Sequence, residues 1–423
     1  IPEEGGYSSQ SWTTTWEEGE PNFYNAPAYA LITAIDNNGV AYTAEETYTG
    51  DWRSVWAQDI TVTSANDSGI VDSDSYKGVT ATFTLGGADL EKVESIKVEL
   101  FDAEDKLLAT TTLKSHKFPI SAGNLTAPIV AIEGTYAYGS WEKTVWTDGN
   151  PDPLTPPSYV VMTLTDKNGV TYSAEERNLH TVHSGGGDWA SLWGVKVVGT
   201  EGELRDALVN TDVERIILGN DISLTDHLDI RRSVVLDGKG NTITAVFNKV
   251  DGALIHLNAD NVTIKNVTIT TAEDKRMMGI DNTGRIDGLI IERVTFKDME
   301  LGFYSNGEIN GKIEDCIFEN LNKGIGYSHS PSFELLFMDN IFRNIKSMYF
   351  EIFGEPSDEV VNAIIENNVF LYKDIEVAVI VDDEGNIVAT EVYVTTEEEL
   401  IAALANTDVE RIILGNDISL TDH

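Results

Sequence analysis

Two kinds of hydrophobic pattern divide the chain. In the first half, short runs alternate apolar and polar residues: Lys77-Gly-Val-Thr-Ala-Thr-Phe-Thr-Leu85, Ser95-Ile-Lys-Val-Glu-Leu-Phe101 and Lys106-Leu-Leu-Ala-Thr-Thr-Thr-Leu113. Alternation with β-branched enrichment predicts strands with one buried face. Asp36-Asn-Asn-Gly39 and Asp166-Lys-Asn-Gly169 sit between such runs, where Asn-Gly supplies the positive φ angles of a tight hairpin. Short strands at this spacing predict antiparallel β-sandwich modules of immunoglobulin-like type, without the cysteine and tryptophan hallmark of antibody domains.

In the second half one unit recurs: an apolar strand, a polar corner, and a second strand ending in a large apolar residue. Val262–Ile269, Leu289–Phe296, Lys312–Phe318, Leu335–Phe342 and Ala363–Phe370 form the series, and their end residues lie 27, 22, 24 and 28 apart. A period in the twenties with variable loops predicts a parallel β-helix, whose turns bury their faces only by stacking. Corner positions keep register too. Val267, Val294, Cys316, Asn340 and Asn368 stand two before the end residue; Thr271, Asp298, Asn320, Asn344 and Tyr372 stand two after it. Such columns predict side-chain ladders that satisfy backbone groups where the chain bends. Cys316 reads as a buried ladder member, since a reactive thiol wants a basic neighbour. Thr200–Asn210, with leucines at 204 and 208 and acids in its first turn, predicts a short N-terminal capping helix over the first open coil.

Self-comparison sets the organisation. Thr407–His423 repeats Thr211–His227 letter for letter, so the chain stops inside a second copy of the β-helix opening. An older repeat relates Gly6–Trp12 to Gly134–Trp141, Asp36–Glu46 to Asp166–Glu176, and Gly50–Trp56 to Gly187–Trp193. The expected domains are a β half-module over 1–62 that repeats 134–198, a β-sandwich module over 63–198, a parallel β-helix over 199–394 and the start of a second copy over 395–423. Ends that fall inside modules point to a segment of a longer tandem protein.

Thr200-Glu-Gly-Glu-Leu-Arg-Asp-Ala-Leu208, the strand Glu214–Leu224 and Val234-Val-Leu-Asp-Gly-Lys-Gly-Asn-Thr-Ile243 resemble the opening coils of right-handed parallel β-helix domains of the pectate-lyase-like superfamily. More narrowly, the chain is similar to large secreted bacterial proteins, often associated with the surface layer, that join such domains to immunoglobulin-like modules. The resemblance implies an all-β fold, an extracellular cell-surface location, and copies of the chain or other surface proteins as partners. It specifies fold better than activity.

Composition narrows the function. Seventy acidic against 29 basic residues give a net charge of −41, which argues against nucleic acid or anionic lipid as partner. No run of 18 apolar residues offers a membrane span, and the single cysteine forbids an internal disulfide. A glycosidase on this fold would need clustered aspartates; Asp281-Asn-Thr-Gly284 approaches such a motif, but no Asp-Asp pair lies in the coils. A lyase would need calcium-binding carboxylates beside a base. Glu292, Glu314 and Glu366 share one expected register with Arg293 and Lys265 beside them, an arrangement that equally suits a solvated face. The favoured function is therefore a non-enzymatic structural protein of the cell surface, assembling head to tail into a fibre or layer. A glycan-binding adhesin is the first alternative and a polysaccharide lyase or hydrolase the second. For glycan stacking the candidates are Trp12, Trp52, Trp56, Trp141, Trp189 and Trp193, although tryptophans repeated at matching positions also suit core ends. No cofactor is firmly indicated; calcium is the one candidate, with Asp67, Asp72 and Asp74 of the inter-module linker as its ligands, and a flexible polar linker is the favoured reading.

Overall fold

The computed structural model describes residues 27–47, 59–87, 90–114, 120–135, 139–183, 185–247, 252–272, 276–327, 335–352, 358–372, 375–376, 379–381, 386–389, 391–405, 411–414 and 418. It separates into two compact units, Ile1–Leu192 and Trp193–His423. Both are built mainly of strands, as the patterning predicts.

The first unit holds antiparallel sheets. Five strands run in the order Thr171–Glu176, Tyr159–Asp166, Val93–Phe101, Leu107–Leu113 and Val145–Trp146. A second sheet centres on Tyr76–Gly87, paired with Gly123–Glu133 on one side and with Ile60–Ser64 and Gly69–Asp72 on the other. Alternate side chains are buried on both: Val79, Ala81, Phe83 and Leu85 on one, Ile96, Val98, Leu100, Val160, Met162 and Leu164 on the other. A separate hairpin, Tyr29–Ile35 with Ala41–Thr47, forms its own two-stranded sheet.

The second unit is a parallel β-solenoid of about six coils, each contributing one strand to each of three sheets. Its first sheet opens with Val195–Val198, which pairs in parallel with Arg215–Leu218. That strand belongs to the solenoid, so the boundary falls a few residues before the expected 199. The capping helix is Glu201–Val209: the Glu203 N–H donates to Thr200 Oγ1 (3.2 Å) while the Gly199 N–H donates to Glu203 Oε2 (2.7 Å), a reciprocal capping box. Leu204, Ala207 and Leu208 are buried against the first coil.

The core is a set of side-chain columns. Ile243, Ile269, Phe296, Phe318, Phe342 and Phe370 are register partners from coil to coil. The four phenylalanine rings stack with centroids 4.9, 4.6 and 5.4 Å apart and interplanar angles of 16°, 8° and 14°. Facing them in the third sheet is a column of glycines. A Cβ on Gly279, Gly302 or Gly324 would meet the ring of Phe296, Phe318 or Phe342 at 2.8, 2.6 or 2.8 Å. The rings therefore occupy the space that the third sheet leaves empty.

Corners between the first and second sheets turn on one left-handed residue at Asn266, Arg293, Asp315 and Asp339, with φ of 51–57°, and on the left-handed pair Lys239 and Gly240, φ 53° and 86°, in the two-residue-longer turn after Asp237. The next residue points inward, and here the expected ladder forms. Asn340 Oδ1 accepts the Cys316 N–H (3.0 Å), and Asn368 Oδ1 accepts the Asn340 N–H (3.1 Å) and Asn340 Nδ2 (2.9 Å). Cys316 is buried, its Sγ 3.2 Å from the Glu314 carbonyl oxygen, and burial pushes its thiol up to about 12, so it is no nucleophile. The second ladder also forms, with Asn344 Nδ2 donating to Asn320 Oδ1 (3.1 Å) and Thr271 Oγ1 donating to the Asp298 carbonyl (3.2 Å).

One expected strand is a helix. Asp358–Glu366 is α-helical, and the strand begins only at Asn368. Apolar residues at 360, 361, 364 and 365 follow a helical rather than an alternating period, and Val361 and Ile364 are buried in the core. Glu366 thus stands on a helix, outside the expected column with Glu292 and Glu314.

The duplicated opening is reproduced in structure. Glu391–Val394, the helix Glu397–Ala405 and Arg411–Leu414 repeat the strand, helix and strand at 195–218, with the same parallel register. The Thr396 and Glu399 capping box matches that of Thr200 and Glu203.

Asp237 fastens the first corner. It is 3% exposed and takes hydrogen bonds from Arg215 (2.7 Å), Asn266 Nδ2 (3.0 Å) and the Lys239 N–H (3.1 Å). Burial alone would raise its carboxyl, but these donors outweigh burial and hold it below its ordinary value. A depressed carboxyl contributes stability that is full above its unfolded pKa, near 3.8, and is lost as pH falls through the folded value. Asp237→Asn should therefore destabilise the solenoid by about 2 kcal/mol at pH 7 in urea titrations, with a deficit that shrinks below about pH 4. A deficit independent of pH would contradict this. For the stack, Phe318→Ala should cost about 3–5 kcal/mol, and Gly302→Ala about 1–3 kcal/mol by overpacking. The overpacking cost should be partly relieved in Gly302→Ala with Phe318→Leu.

Candidate functional site

Of the residues singled out for glycan stacking, two are buried. Trp141 is 4% and Trp189 2% exposed, so neither presents a ring face. The Trp189 indole N–H donates to the Asp152 carbonyl (2.8 Å), and its ring lies 6.1 Å from that of Trp146, whose N–H donates to the Val130 carbonyl (2.9 Å). These tryptophans tie loops to the sheets, which corrects the stacking expectation at 141 and 189. Trp193 is half-buried, ending a short turn of helix, Ala190–Trp193. Trp12, Trp52 and Trp56 lie outside the described residues.

Asp67, Asp72 and Asp74 are not brought together: among the described residues, no group of three or more metal-capable acid, histidine or cysteine side chains converges. Asp72 is instead paired with Lys77 (3.3 Å) and lies 3.8 Å from His183 Nε2. His183 is itself mostly buried; its Nδ1 accepts the Gly185 N–H (3.0 Å) and its Nε2 is 3.2 Å from Ser191 Oγ. The His183 ring thus ties Gly185 and Ser191 of an otherwise exposed loop.

On the first sheet of the solenoid, Lys265, Glu292 and Glu314 are register partners. Glu292 is ion-paired with its neighbour Arg293 and Glu314 with Lys312. The acids are thus engaged along their own strands, and nothing in this column sets two carboxylates across a substrate.

Two other constellations appear. The third sheet carries an outward column in which Asp229, His256 and Asp281 are register partners. Imidazole Nδ1 of His256 is hydrogen-bonded to Asp281, and the His227 ring meets the His256 ring edge-on at 5.0 Å. The capping helix places His227: Arg205 donates to the carbonyls of Asp226 (2.7 Å) and His227 (2.9 Å), and Glu201 accepts from the Thr225 N–H (3.0 Å). Asp226 accepts the backbone N–H and ring of His227, which hold its carboxyl below the ordinary value. Asp229 is shared by Arg231 (3.0 Å) and His227 (3.7 Å). The network is one of mutually paired side chains, and its column continues to Tyr304, Gly326 and Glu351, the last ion-paired with Lys323.

The second constellation is a cleft at the corner between the first and second sheets, lined by Lys239, Gly240, Asn266, Thr268, Arg293 and Thr295. Lys239 and Arg293 are left-handed at φ 53° and 51°. At the corners of the neighbouring coils, Asn266, Asp315 and Asp339 adopt this conformation at little cost, whereas a long side chain pays about 1–2 kcal/mol. The two costly residues are cations that line one cleft of a strongly acidic protein. Arg293 Nε donates to Asn266 Oδ1 (2.8 Å), which fixes its stem. Below the cleft, Thr242, Thr268 and Thr295 form a hydroxyl-bearing column on the second sheet.

Sequence reasoning missed both. His256 and Asp281 are 25 residues apart and meet only once the third strand of each coil is in register. The cleft depends on a backbone conformation that lysine and arginine do not advertise.

Comparison with known proteins adds one finding. Residues 195–309 match the model of a family described as a pectate lyase-like adhesive domain, a span that takes in the capping helix, the histidine column and the cleft. No curated protein and no solved structure matches the chain.

Proposed function

We propose that the chain is a non-enzymatic structural protein of the cell surface, a rigid solenoid spacer that adheres to polysaccharide through the cleft at Lys239 and Arg293. The observation that carries this reading is the backbone strain spent on two cations within the span that resembles an adhesive domain. Cations and hydroxyls at fixed spacing suit a polymer of hydroxylated, partly anionic sugars. Glu292 and Glu314 are tied to neighbouring cations and Asp281 to His256, which supports binding over cleavage.

The same reading takes the coil as right-handed, the usual sense of parallel crossovers, and the first unit as immunoglobulin-like sandwich modules. The location is extracellular. Partners are surface polysaccharide, copies of the chain joined head to tail into a fibre or layer, and other surface proteins.

Retention on a panel of insoluble polysaccharides tests this. The chain should bind at least one, and Lys239→Asn with Arg293→Asn should weaken retention at least about fivefold. Stability should stay within about 1 kcal/mol of the parent, because asparagine suits the left-handed corner. Retention unchanged in the double variant, or none on any glycan, would remove the reading.

A further inference from the structure

The first unit contains the same hairpin in two settings. Tyr29–Ile35 with Ala41–Thr47 and Tyr159–Asp166 with Thr171–Glu176 share register and turn. In each turn an aspartate, Asp36 or Asp166, accepts the N–H groups of the residues two and four ahead at 2.8–2.9 Å, and the glycine, Gly39 or Gly169, is left-handed at φ 79° or 77°.

Their surroundings differ completely. Strand Tyr159–Asp166 pairs antiparallel with Val93–Phe101, which sets Val160, Met162 and Leu164 opposite Leu100, Val98 and Ile96, all at 0% exposure. Tyr159 stacks on Phe101 (4.9 Å) and donates to Asp105 (2.9 Å), and Ser64 donates to buried Glu176. In the first hairpin every strand residue is exposed: Tyr29 55%, Leu31 58%, Ile32 62%, Ile35 70% and Tyr42 60%. Among the described residues, Tyr29–Ile35 pairs only with Ala41–Thr47.

We infer that the hairpin 29–47 is a docking surface for one kind of partner, a β-sheet half-module built like residues 60–133, whose counterpart of Val93–Phe101 adds antiparallel to Tyr29–Ile35. The second hairpin supplies the argument, because it shows what covers this face when the module is whole. Ala30, Ile32 and Ala34 stand where Val160, Met162 and Leu164 fill the core, so the fitting partner carries bulkier residues opposite the two alanines than 60–133 does. Glu46 stands where Glu176 is buried, so the partner also brings a hydroxyl donor equivalent to Ser64. A folded second copy of the chain does not qualify, since its own 60–133 is already paired to its own 159–176. The inference is independent of the adhesive reading.

Hydrogen exchange read by mass spectrometry tests it on the full chain and on a version in which a second copy of 63–133 directly precedes Gly6, as 63–133 precedes Gly134. In the unextended monomer, amides of 29–47 should exchange at least about 100-fold faster than those of 159–176. The extension should slow them at least about tenfold, and Ile32→Asp should abolish that slowing while leaving 159–176 protected. Two results would overturn the proposal: protection of 29–47 already present in the unextended monomer, or no slowing although the added segment is itself protected. Protection that appears only with concentration-dependent association of the unextended chain would assign the face to a second copy instead and equally overturn it.

Discussion

Everything in the solenoid depends on coil-to-coil register. A single coil has a strand of three to seven residues per sheet and cannot bury its own apolar face; it becomes stable only when each inward residue lies over its equivalent. Here the lock is the stack of Phe296, Phe318, Phe342 and Phe370 against the glycines of the third sheet. A slip by one residue would point the rings outward and bring side chains into their space. The left-handed corners and the asparagine ladders follow from the same constraint, because a chain that bends at one depth in every coil leaves the same backbone groups to be satisfied each time.

A lock of this kind frees the outer faces. Each outward column is a row of side chains about 4.8 Å apart that can change without disturbing the core. The protein uses this freedom in three ways: ion pairs along the first sheet, hydroxyls and cations at the corner, and interlocked histidines and aspartates on the third sheet near the capping helix. The chain as a whole carries a net charge of −41, which disfavours non-specific association. Against that background, two cations held in a strained backbone are the feature that folding alone does not require.

Much of this was legible in the sequence, and the limits are physical. The phenylalanine column, the Cys316 and asparagine ladder and the capping helix could be read because each depends on one repeated position. The coil template extends over Ala363–Phe370 because Ile364 and Phe370 fit it, whereas the helical spacing of Val360, Val361, Ile364 and Ile365 decides for a helix over Asp358–Glu366. Whether Trp141 and Trp189 face solvent depends on which sheet covers them, which alternation cannot encode. The pairing of His256 with Asp281 depends on the third strand of each coil, whose loops vary in length. Likewise, the two hairpins share register and turn, and what lies beside each strand is not written in its own alternation.

The central claim is that this solenoid binds its polymer without cleaving it. Prolonged incubation of the chain with pectic, algal and neutral polysaccharides, with and without added calcium, followed by size analysis and assays for new reducing ends and unsaturated products, tests that claim directly. The account predicts polymers of unchanged length from which the chain is recovered bound; newly formed oligosaccharides, lost in Asp281→Asn or Glu292→Gln, would contradict it.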